Sequence, residues 1–164
     1  MNPATKLALM IAGAAIAVPQ SAAMAKAPNA KLWSGNWQLN ADQSKFSSAD
    51  STAKSDTRTY QVSGNRVTMR SSMTNAAGKT MKWSYSAATD GKWYPVSGNP
   101  NADHIALRLV GDREIKSETQ LKGKPSANSL ATVSADGKQL TIARHIMTGK
   151  GAPTNDTLVY DRTK

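Results

Sequence analysis

Asp103 and His104 stand side by side in "SGNPNADHIALRLV", an acid next to an imidazole that could act as a general base for a serine elsewhere in the chain. The pattern that follows argues against this. His104 alternates with Ile105, Leu107 and Leu109, and neighbours in a strand point to opposite faces, so Asp103 is not expected to orient the ring. No G-x-S-x-G elbow accompanies them. His104 therefore reads as a polar-face residue at a strand entrance.

Other chemistry is equally thin. His104 and His145 are the two histidines and there is no cysteine, so a zinc site would have to be filled out with acids, and no H-x-x-x-H spacing is present. Gly78-Lys79-Thr80 has the ending of a phosphate loop, but the position of its first glycine is Met73, and strand-like runs flank it. Asp90, Asp112 and Asp136 sit in turn sequences, where turn chemistry accounts for them. No enzymatic activity, metal or cofactor is expected.

The elements that would position these residues are strands. Glycines recur from Gly64 to Gly151 at intervals of about 12 to 14 residues, apart from a wider gap containing Gly98, and three turns read "AAGK", "TDGK" and "ADGK". Such turns supply the backbone angles of tight hairpins. Between them, apolar and polar residues alternate: Tyr60 and Val62; Val67 and Met69; Met81, Trp83 and Tyr85; Leu140 and Ile142; Leu158 and Tyr160. This predicts an all-β fold, an antiparallel meander of about 8–10 strands packed on one side. Closure into a barrel removes the exposed edges, and a two-sheet β-sandwich is the alternative. The polar segment 41–57 reads as a short strand around Phe46 followed by a mobile loop.

The N-terminus reads as an export signal over residues 1–25. Lys6 precedes the apolar run Leu7 to Val18, and Ala23-Met24-Ala25 offers small residues for cleavage. That run is shorter than the roughly 20 residues a membrane span takes. Residues 26–32 form a short leader and 33–164 a single domain. With no disulfides, an exported domain of this kind suits a bacterial periplasm or secretion from a bacterium. A monomer with no membrane span is expected.

The chain carries 21 Lys and Arg against 11 Asp and Glu, a net charge of +10, which draws it to anionic envelope surfaces. Arg66, Arg70, Lys82, Arg108 and Arg144 are expected on the polar faces of strands. The aromatics belong mostly to the apolar faces, so the interleaved stacking platform of a single-strand nucleic-acid binder is missing.

Gly35-Asn36-Trp37 in "SGNWQLN", at the first strand, and Arg162 in "LVYDRTK", at the last, resemble the signature of the calycin group, the lipocalins and fatty-acid-binding proteins. The resemblance implies a barrel whose tryptophan closes one end with the arginine lying across it. Segments such as "WQLNADQSKF", "DGKWYPVSGNPNAD" and "VSADGKQLTI" also resemble a family of small exported bacterial proteins, which supports the barrel and assigns no activity. Two departures from fatty-acid-binding proteins stand out. Residues 41–57 are too polar and irregular for a helical lid, and no Arg and Tyr pair offers a carboxylate anchor beyond Arg162 and Tyr160. The expected function is binding of a hydrophobic or amphipathic small molecule, lined by Tyr60, Met69, Met81, Trp83, Tyr85, Trp93 and Ile105. The alternative is an interaction or structural role for the basic surface.

Overall fold

The computed structural model describes residues 27–49, 51–147 and 153–164. The expected export segment 1–25 and Gly151 lie outside them. The described residues form a short helix, α1 (Ala30–Trp33), and ten strands. These are β1 (Gly35–Leu39), β2 (Ala53–Ser63), β3 (Arg66–Asn75), β4 (Thr80–Ala88), β5 (Asp90–Ser97), β6 (His104–Gly111), β7 (Glu114–Leu121), β8 (Lys124–Val133), β9 (Gln139–Ile146) and β10 (Thr154–Thr163). Each strand pairs antiparallel with the next, and β1 pairs with β10 to close the barrel. The meander is the barrel the alternation predicts, and the sandwich does not form.

The alternation sets what faces in. Val67 and Met69, Ile105 and Leu107, Leu140 and Ile142, and Leu158 and Tyr160 join one buried cluster. Charged side chains such as Arg66, Arg70 and Lys82 alternate with them on the outward faces, the reverse of a barrel with a lipid-facing belt. Among the described residues, no helix is long and apolar enough to cross a membrane.

Three segments differ from the sequence reading. Part of the predicted leader is α1: Asn29 accepts from the Lys31 N–H as its N-cap, and Trp33 is buried at the barrel end. Around Phe46 a single bridge, Lys45 to Thr157, replaces the short strand. The predicted loop ends early, because residues from Ala53 onward pair with β3 as far as Asn75. In the "TDGK" hairpin the strands turn at Thr89. Gly91, at φ +77°, sits in a β5 irregularity where the register with β6 slips between Asp90 and Trp93.

Candidate functional site

One end of the barrel is shut by the pair the sequence singles out. Trp37 and Arg162 are cross-strand partners on β1 and β10, and the guanidinium carbon lies 4.2 Å from the centre of the buried Trp37 ring. The fork is fully directed. Nε donates to Gly137 O at 2.6 Å, Nη1 to Ser34 O at 2.6 Å, and Nη2 to Leu32 O. Gly35 lets the arginine in. Its φ of +142° suits glycine, and a Cβ there would collide with Arg162 Nη1.

Ten strands enclose more volume than side chains of this size fill. Inside lies a cavity of about 220 Å³. Of the expected lining, Tyr60, Met81, Trp83, Tyr85 and Ile105 border it. Met69 does not: it pairs between Tyr60 and Tyr85 and is wholly buried in the packed core. Trp93 does not either. The slip at Gly91 leaves Tyr94 and Val96 packed against the core, while Trp93 faces out and is 45% exposed. Tyr94 is occupied elsewhere, donating its hydroxyl to Asp90 beneath the Arg66 guanidinium. The corner connecting β5 and β6 reaches the cavity through Asn99, Asn101 and Ala102.

The cavity wall also carries charge, which the sequence reading missed. Asp56 on β2 is wholly buried and accepts three hydrogen bonds. Arg58 Nε and the Tyr160 hydroxyl donate to Oδ2, and Ser71 Oγ donates to Oδ1, each at 2.8 Å. The Arg58 guanidinium packs over Tyr160 at 4.8 Å and Trp83 at 5.7 Å. Burial alone would lower its pKa, but Tyr160 and Asp56 outweigh that and hold it well above the usual value. Burial pushes the Tyr85 and Tyr160 phenols well up. The indole N–H of Trp33, also on the wall, is buried with no acceptor among the described residues.

A second ion pair lies at the opposite end from the tryptophan cap. Arg144, expected on an outer face, turns inward to the cavity. Its Nε donates to Asp156 Oδ2 at 3.0 Å and its Nη2 to Ser51 O at 2.9 Å. Asp156 Oδ1 accepts from Ser47 N, Ser47 Oγ and Ser51 Oγ. The segment predicted to be mobile is thereby strapped to the barrel, and Ser51 and Thr52 border the cavity.

Asp103 does reach its neighbour: Oδ1 lies 2.9 Å from His104 Nδ1. Asp103 precedes β6 instead of belonging to it, so the opposite-face rule does not hold it away. Its other oxygen accepts from Lys122 N at 2.7 Å, and the His104 bond followed by this one lowers its pKa. The pair ties the corner to the β7–β8 turn. Among the described residues, no group of three or more His, Cys, Asp or Glu could hold a metal.

The arrangement is an end-capped barrel with a small cavity whose wall is mostly apolar and carries two neutralised ion pairs. No protein-family model matches the chain, and a search of curated proteins finds no match either.

Proposed function

We propose that this chain is an exported ligand-binding barrel of calycin-like build, related to the small exported bacterial family that its segments resemble, and that it takes a hydrophobic or amphipathic small molecule into its interior. The cavity of about 220 Å³ between the tryptophan cap and the Asn99–Ala102 corner carries this reading. Trp83, Tyr60 and Ile105 give it apolar walls, while Arg58 and Asn101 supply polar contacts that would orient an occupant. Its size falls below the roughly 300–1,000 Å³ of sites for drug-sized molecules, so the occupant is small, a short acyl chain or a single ring. Saturable change of tryptophan fluorescence on titration with short-chain acids, amides, alcohols and simple aromatics tests it. A flat response to every member of such a panel would overturn it.

A second reading rests on the outer surface. The outward faces of β2, β3 and β4 carry Lys54, Arg66, Arg70 and Lys82 and, among the described residues, no acid. Between them runs a groove of about 380 Å³, where Arg70 and Lys82 stand among the hydroxyls of Thr57, Thr59, Ser72, Ser84 and Ser97. A face of one sign favours an anionic envelope component. Retention on immobilised lipopolysaccharide at low salt, lost at moderate ionic strength and lost in R70E/K82E, is the expected behaviour. No retention at low salt removes this reading.

A further inference from the structure

The terminal nitrogens of Arg58 have a task that the fold does not explain. Arg58 is 7% exposed and lies on the cavity wall. Its Nε is used by Asp56, and among the described residues no group accepts from Nη1 or Nη2. The Trp83 and Tyr160 rings flank the guanidinium and fix where it points. A guanidinium has five N–H donors, and those on Nη1 and Nη2 are left to the cavity that Arg58 lines, so an occupant that accepts there gains charge-assisted hydrogen bonds.

The charge of Arg58, unlike its donors, is already matched. Asp56 balances it, with Ser71 and Tyr160 donating to the same carboxylate. The other guanidinium on the wall, Arg144, is balanced by Asp156. Among the described residues, the interior therefore holds two cations and two carboxylates. A neutral carbonyl entering it satisfies Arg58 without adding charge. A carboxylate would shed its water and leave the interior with an unmatched negative charge, which a low-dielectric site penalises more than the stronger hydrogen bond returns.

We infer that the cavity selects an uncharged amphiphile, with the carbonyl of an amide, ester or lactone accepting from Arg58 Nη1 and Nη2, and discriminates against the free carboxylate of the same chain. This rests on the ligand-binding reading above and assigns its ligand class.

Calorimetric titration with octanamide and with octanoate at neutral pH tests it, since the two differ in charge and hardly in shape. Octanamide is expected to bind at least about tenfold more tightly. In D56N the Asn can accept from Arg58 and donate to Ser71 Oγ, so the shape is kept while Arg58 loses its counter-charge. The preference should move toward octanoate by about tenfold or more. Octanoate binding as tightly as octanamide to the unaltered protein overturns the inference and leaves the ligand-binding reading standing. So does a folded D56N with an unchanged ratio. If neither compound binds, the inference falls, and the ligand-binding reading is decided by the wider panel. Should D56N not fold, the comparison on the unaltered protein decides alone.

Discussion

Asp156 and Arg144 face each other from adjacent strands, register partners on β10 and β9, with Nη2 2.9 Å from Oδ2. The same carboxylate holds Ser47 and Ser51, so one side chain fastens the segment after β1 to the wall of the barrel.

That fastening is sensitive to acid. Burial raises the Asp156 pKa, but the Ser47 N–H, Arg144 and Ser51 outweigh it, and the folded value lies below the ordinary one. A carboxylate depressed on folding contributes stability that is complete above its unfolded pKa, about 3.9, and that fades as pH falls through the folded value. Stability should therefore drop below about pH 4. In D156N the drop should involve about one proton fewer. Denaturant midpoints measured from pH 6 down to pH 2 give that slope, and an identical slope in D156N would refute the role.

The cap at the other end is a matter of geometry as much as charge. Arg162→Ala removes a cation–π contact of about 0.5–2 kcal/mol together with three bonds from a charged donor, so a loss of about 2–4 kcal/mol is expected. Arg162→Lys keeps the charge but cannot reach three carbonyls at once, and should recover less than half of it. Gly35→Ala should destabilise by about 1–3 kcal/mol, because its φ is strained for alanine and its Cβ meets Arg162. Urea unfolding of the three variants checks the order.

Much of this is legible in the sequence. Glycine spacing and two-residue alternation specify the meander, and Gly35, Trp37 and Arg162 identify the cap. The buried charges were equally open to reading. Asp56 and Arg58 continue the alternation of Tyr60 and Val62, Arg144 continues that of Leu140 and Ile142, and Asp156 that of Leu158 and Tyr160. Of these, Arg144 reads as outward and Asp56 as part of a loop, and the alternation is not carried to Arg58 or Asp156, because the rule that charges are exposed yields when two of them pair. Trp93 failed for another reason. The slip at Gly91 changes which residues of β5 face inward, and alternation alone does not reveal a one-residue slip.

The buried pair predicts an asymmetry. Asp56→Ala leaves Arg58 charged and unmatched in the core and should lose about 3–5 kcal/mol. Asp56→Leu combined with Arg58→Met removes both charges, and should lose distinctly less than Asp56→Ala alone. Equal losses in the single and double variants would mean that packing around Asp56, and not its charge, sets its contribution.

The placement of the tryptophans supplies a reporter for binding. Trp83 borders the cavity under the Arg58 guanidinium, whereas Trp93 faces solvent on the far side of β5. Trp33 borders the cavity as well, and Trp37 is sealed beneath Arg162. An occupant of the cavity must therefore change the emission of Trp83 and leave that of Trp93 unaltered. Trp83→Phe should lower the fluorescence response to octanamide to what Trp33 alone reports, while Trp93→Phe keeps it in full with the same midpoint. The opposite outcome, a response lost with Trp93 and kept with Trp83, would move the binding site from the interior to the outer face of β5.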